Sequence, residues 1–176
     1  MATEREGAVT FLGKPLTVVG DEVKVGDTAP AFSGLTGGGE LAPYTQDDGR
    51  GHVRIFNVVV ALDTPVCDAQ TRRFNDEVAK LEDVEVVTVS ADLPFTQARW
   101  AKEAGISDRV RMVSDHRDLS FGTNYGFAVK ELRLLRRGIV VLDADNRVAY
   151  VQYLPEMTEH PDYERALAAA EEAAGR

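Results

Sequence analysis

Leu62-Asp63-Thr64-Pro65-Val66-Cys67-Asp68 holds the only cysteine of the chain, and its reading decides the fold. The run before it, Ile55-Phe56-Asn57-Val58-Val59-Val60-Ala61, is dense in β-branched and aromatic residues and predicts a buried strand. After it, Val66, Gln70, Phe74, Val78 and Leu81 recur near one face of an amphipathic helix. Thr64 suits the N-cap and Pro65 the first helical position. Cys67 is therefore expected in the first turn of a helix, at the C-terminal end of a strand. Unpaired N–H groups and the helix dipole favour negative charge there, so the place suits a thiolate.

The next strand is expected at Val84-Glu85-Val86-Val87-Thr88-Val89-Ser90, which makes a β–α–β unit with parallel strands and a right-handed crossover. Ser90-Ala91-Asp92-Leu93-Pro94-Phe95 ends that strand and starts a second helix, with Asp92 expected to cap it, running through Gln97, Arg99 and Trp100 to Gly105. Val110 to Ser114 predicts a short strand, and Leu119 to Tyr125 a short helix ending at Gly126. Arg136 to Asp143 predicts a buried strand, returned by Arg147 to Tyr153 after a turn at Asp143-Ala144-Asp145-Asn146. That turn lacks the glycine and terminal glutamate of a calcium loop. Asp162 to Ala174 closes the chain as a helix, with Tyr163, Leu167 and Ala170 inward. Upstream, Val9 to Val19 predicts a hairpin turning at Gly13-Lys14-Pro15. Gly37-Gly38-Gly39 is a loop, not a phosphate cradle, because no Gly-Lys-Ser/Thr follows.

With 176 residues and no internal repeat or linker, one domain spanning 1–176 is expected. The net charge of −9 argues against nucleic-acid or acidic-membrane binding. A single cysteine excludes an intramolecular disulfide and any cysteine-rich zinc site. The polar start, Met1-Ala2-Thr3-Glu4-Arg5-Glu6, is not that of a secretory signal, and no apolar run has the length to span a bilayer, so a cytoplasmic location is expected. His52, His116 and His160 are scattered and show no metal or triad spacing.

Asp63-Thr64-Pro65-Val66-Cys67, Gln70-Thr71-Arg72-Arg73-Phe74-Asn75, the entry pattern Gly26-x-x-Ala29-Pro30-x-Phe32 and above all Ser90-Ala91-Asp92-Leu93-Pro94-Phe95 with Gln97-x-Arg99-Trp100 carry a resemblance. From about Val9 to about Ala169 the chain resembles the peroxiredoxins, specifically their bacterial thiol peroxidase subfamily. The resemblance implies an α/β, thioredoxin-like fold, a central mixed sheet flanked by helices, with an N-terminal β-hairpin. It implies that Cys67 attacks a peroxide and becomes a sulfenic acid, that Thr64 serves the site through its hydroxyl, and that an arginine stabilises the thiolate and polarises the peroxide. Neighbouring strand residues face opposite ways, so only one of Arg136 and Arg137 can face Cys67; the family pattern falls on Arg137. The resemblance implies a homodimer and no cofactor.

Two departures stand out. Where the family motif has proline and a small polar residue, this chain has Val60 and Ala61, from which a differently shaped pocket and reduced turnover are expected. Where a second, resolving cysteine commonly stands, this chain has Ala101. The expected cycle is one-cysteine, with an external thiol as reductant: thioredoxin, glutaredoxin or a small thiol. The competing functions are a non-enzymatic redox sensor or binding module with a reactive Cys67, and a structural domain with an inert one.

Overall fold

The computed structural model describes residues 1–175. It begins with strands β1 (Glu4–Phe11) and β2 (Lys14–Val19), an antiparallel hairpin turning at Leu12 and Gly13. The first strand starts earlier than the apolar pattern suggests, through the polar Glu4-Arg5-Glu6. Its register shifts between Arg5 and Val9 around Gly7, which has φ +68°. Pro15 lies inside β2 rather than in the turn. It can do so because β2 pairs β8 (Ala128–Val129) only through Val18 and Val19, leaving the proline's other edge free of a ladder. Short β9 (Leu134–Leu135) completes this sheet in the order β1-β2-β8-β9.

The larger sheet contains β3 (Ser33–Thr36), β4 (Ala42–Thr45), β5 (Val53–Val58), β6 (Val84–Ser90), β7 (Val110–Ser114), β10 (Gly138–Leu142) and β11 (Val148–Tyr153). Its order is β11-β10-β5-β6-β7-β3-β4. β5, β6 and β7 run parallel and their other neighbours antiparallel, so the sheet is mixed. Four helices accompany it: α1 (Pro65–Val78), α2 (Pro94–Ala104), α3 (Ser120–Tyr125) and α4 (Tyr163–Ala173). Among the described residues no helix is long and apolar enough to cross a membrane.

The strand pleat sends core side chains to opposite faces of the larger sheet. Ile55, Val86, Ile139 and Val141 face α1 and α4, packing on Phe74, Val78, Leu167 and Ala170. Phe56, Val58, Val87, Val140 and Leu142 face the opposite way. They meet an aromatic cluster in which Phe121 stacks on Tyr125 at 4.4 Å and Phe32 abuts Phe56 and Phe121 edge-on. Phe32, the apolar anchor of the entry pattern, is thus a core residue. The acidic turn also has a structural use. Asp143 accepts from the amides of Asp145 and Arg147, and Asn146 joins the buried Arg54 to Asp47.

Candidate active site

β5 ends at Val58, and Val59 still bonds to Val89 before the chain leaves the sheet. The loop that follows delivers Pro65 to the start of α1 and Cys67 to its first turn. Cys67 is fully buried. Two donors reach its Sγ: the Ala61 amide at 3.5 Å and Arg137 Nη1 at 3.2 Å. The helix therefore contributes its N-terminal field, the loop an N–H, and the residue ahead of β10 a guanidinium.

Arg137 is 2% exposed. Its Nε and Nη2 donate to the Met157 carbonyl at 3.1 and 2.9 Å, and Nη1 also donates to Gln70 Oε1 at 2.8 Å. None of the ion pairs among the described residues joins Arg137 to a carboxylate. A buried cation with only neutral partners is costly, and among the hydrogen-bond partners of Arg137 Cys67 is the one with an ionisable group. Arg136 points elsewhere, to Glu22, to the Leu154 carbonyl and over the Tyr153 ring at 5.2 Å. The two arginines do diverge. Both are buried, so neither is an exposed charge at a strand start.

Thr64 occupies the N-cap position of α1, yet its side chain makes no capping hydrogen bond. The hydroxyl instead donates to the Ala61 carbonyl at 2.9 Å. Asp92 likewise does not cap α2. The N-cap there is Leu93, and Asp92 Oδ2 accepts from the Leu62 amide at 3.0 Å. Both hydrogen bonds go to the loop ahead of Cys67, because that loop has left the sheet and its polar groups need partners.

The sequence showed Asn57 only as part of an apolar run, and Gln70 only on the inward helix face and within the family pattern. Gln70 Nε2 donates to Asn57 Oδ1 at 2.5 Å, and Asn57 Nδ2 donates to Thr71 and Thr88 hydroxyls at 3.1 Å each. All four side chains are fully buried. A polar ladder thus runs from the sheet through α1 to Arg137. The signal in sequence was a polar residue at an inward position of an apolar strand.

A cleft of about 210 Å³ opens between the hairpin and the start of α1. Phe11 and Leu12 of the hairpin, Val60, Pro65, Val66 and Met157 form its apolar wall, with Thr64 and Arg137 also lining it. Val60 is therefore one wall of the cleft. Ala101 packs, partly buried, into the same apolar cluster as Cys67 and Trp100, and presents a methyl group where a second thiol would stand.

A mixed sheet with a buried cysteine at the head of the helix after a central strand defines the redoxin class, and the Redoxin family profile matches residues 24–167. The thiol peroxidase of Halalkalibacterium halodurans is 54% identical, over 94% of this chain and 98% of that one. The thiol peroxidase of Bacillus subtilis is also 54% identical, over 92% and 95%. A peroxiredoxin-like protein from Aquifex aeolicus superposes with a TM-score of 0.85 at 35% identity, covering 95% of this chain and 97% of that one. The chain belongs to the thiol peroxidase family of the peroxiredoxins.

Proposed function

We propose that the protein is a thiol-dependent peroxidase working through a one-cysteine cycle on Cys67. The observation that carries this reading is the buried guanidinium of Arg137, 3.2 Å from Sγ and without a carboxylate partner. The thiolate of Cys67 attacks one oxygen of a hydroperoxide. The S–O bond forms as the O–O bond breaks, Cys67 becomes a sulfenic acid, and the departing alkoxide or hydroxide takes up a proton. Arg137 holds the thiolate and meets the charge that builds on the peroxide oxygens. The Thr64 hydroxyl keeps free lone pairs and can turn toward the peroxide. An external thiol then attacks the sulfenic sulfur, releasing water and leaving a mixed disulfide, and a second thiol restores Cys67. The apolar wall of the cleft favours organic hydroperoxides over hydrogen peroxide.

The same reading places the protein in a reducing, cytoplasmic compartment, where thiol reductants are available. It also takes the protein to be a homodimer. The exposed apolar side chains of Leu12, Leu93 and Phe95 flank the elements around Cys67, and sedimentation of the protein tests that assembly.

Intact-mass analysis tests the chemistry. Stoichiometric hydroperoxide is expected to add one oxygen to Cys67, and reduced thioredoxin, glutaredoxin or a small thiol to remove it. Repeated turnover with thiol supports the enzyme. One oxidation without recovery by any of these thiols supports a redox sensor instead. Oxidation no faster than that of a free thiol overturns both.

A further inference from the structure

The motif Ser90-Ala91-Asp92 has a use that helix capping leaves unexplained. We propose that Asp92 is a positioning residue for Cys67, an inference that rests on the reading of Cys67 as the attacking thiolate. The Ala61–Leu62 peptide group is held at both of its polar ends. Its carbonyl accepts from the Thr64 hydroxyl at 2.9 Å and the Thr64 amide at 3.1 Å. Its N–H donates to Asp92 Oδ2 at 3.0 Å. A peptide group is planar, so fixing both ends fixes the orientation of the whole unit. The preceding amide, Ala61 N–H, is the one that reaches Cys67 Sγ.

Asp92 is itself braced. Ser90 Oγ donates to Asp92 Oδ2 at 2.7 Å and accepts from Gln97 Nε2 at 2.9 Å, while Gln97 also donates to the Val113 carbonyl at 2.9 Å. Ser114 Oγ holds the Asp92 carbonyl at 2.5 Å. Ser90, Gln97 and Ser114 are all buried. The ends of β6 and β7 and the first turns of α2 are therefore tied to the loop that carries an N–H to the sulfur. A negative charge near a thiolate is unfavourable, so what Asp92 contributes is its acceptor oxygen and not its charge.

The test compares Asp92→Ala, Asp92→Asn and the parent in single-turnover oxidation of Cys67 by cumene hydroperoxide, with exchange of the Leu62 amide followed by NMR. Asp92→Ala is expected to slow sulfenic acid formation about tenfold and to expose the Leu62 amide to exchange. Asp92→Asn keeps an acceptor for that amide. Its rate is expected within about threefold of the parent, with the amide still protected. A helix or folding role alone would not restore the rate with the acceptor. Asp92→Ala within about twofold of the parent, or Asp92→Asn as slow as Asp92→Ala, overturns the inference. Should Asp92→Ala not fold, Asp92→Asn decides alone: a loss greater than threefold overturns it. A parent no faster than a free thiol overturns the peroxidase reading itself; a fast parent with an equally fast Asp92→Ala overturns only the role of Asp92.

Discussion

Replacing Gln70 by methionine keeps the shape of the side chain and removes both of its polar duties. The bond from Arg137 Nη1 to Gln70 Oε1, 2.8 Å long and charge-assisted, is lost; such bonds are worth about 1.5–3 kcal/mol. Asn57 Oδ1 loses its 2.5 Å donor inside the core, and an unpaired buried acceptor costs about 1–3 kcal/mol. The apolar thioether offsets roughly 1 kcal/mol of this. The expected net loss is about 3 kcal/mol, which at a slope of about 2 kcal/mol/M lowers the urea midpoint by about 1.5 M. Arg137 keeps its two bonds to the Met157 carbonyl, but Nη1 is no longer held between Gln70 and the sulfur. Oxidation of Cys67 is expected to slow about 10- to 100-fold, measured by stopped-flow under conditions where the variant is folded. A glutamate at the same place supplies the acceptor for Arg137. The Asn57 amide can turn over to face it, because the Thr71 and Thr88 hydroxyls can donate as well as accept. Gln70→Glu should therefore stay within about 1 kcal/mol of the parent. A methionine variant with an unmoved midpoint and a rate within about twofold of the parent would refute the ladder as a support for the site.

Val60 lines the cleft and lies beyond the end of β5, so proline there breaks no ladder bond of that strand. Val60→Pro is expected to raise the peroxide rate several-fold in the same assay, and an unchanged or lower rate would overturn the expectation that Val60 lowers turnover. Burial raises the Asp115 carboxyl to about 7, against the pull of its hydrogen bonds from the Gly122 and Phe121 amides. The folded state then holds a proton that the unfolded state releases above about 4, so stability is expected to fall between about pH 4 and 7, by at most roughly 4 kcal/mol. Urea melts across that range should show the slope in the parent and not in Asp115→Asn; the same slope in both would assign it elsewhere. Glu156 is held down to about 2, first by the Thr158 hydroxyl and then by the Gly13 amide. Its grip on the hairpin is expected to be complete above about pH 4.5 and to fade as pH falls toward 2. Protection of the Gly13 amide from exchange reads this, and Glu156→Gln, which keeps an acceptor but not the titrating charge, should lose that pH dependence.

The arrangement of α1 behind a buried strand was legible because the apolar run, the capping position and Pro65 agree with one another. Arg137 was legible from its family pattern, and the divergence from Arg136 from the alternation of neighbouring side chains. The ladder was not, because it depends on register. Asn57 and Thr88 stand directly opposite each other in the parallel pairing of β5 and β6, and no local pattern reports that. Asp92 was misread for a related reason. Asp-Leu-Pro is a strong helix-start pattern, but one residue of offset makes Leu93 the cap and frees the carboxylate for a loop 30 positions away in the chain. β3, β4, β8 and β9 are two to four residues long, too short for any periodicity to register.

The hairpin reaches the sulfur through a segment near the other end of the chain. Thr10 and Met157 exchange backbone bonds of 2.8 Å with the 155–157 stretch and β1 respectively, and the Met157 carbonyl holds Arg137. Thr10 and Pro155 are 145 positions apart. During synthesis the cysteine emerges 70 positions ahead of its arginine. The hairpin, made first, gains β8 as a partner and only later the 155–157 stretch. The sulfur is thus made early and enclosed late: a growing chain carries the cysteine alone, and the guanidinium and the Met157 segment reach its surroundings only after the middle of the chain has been made.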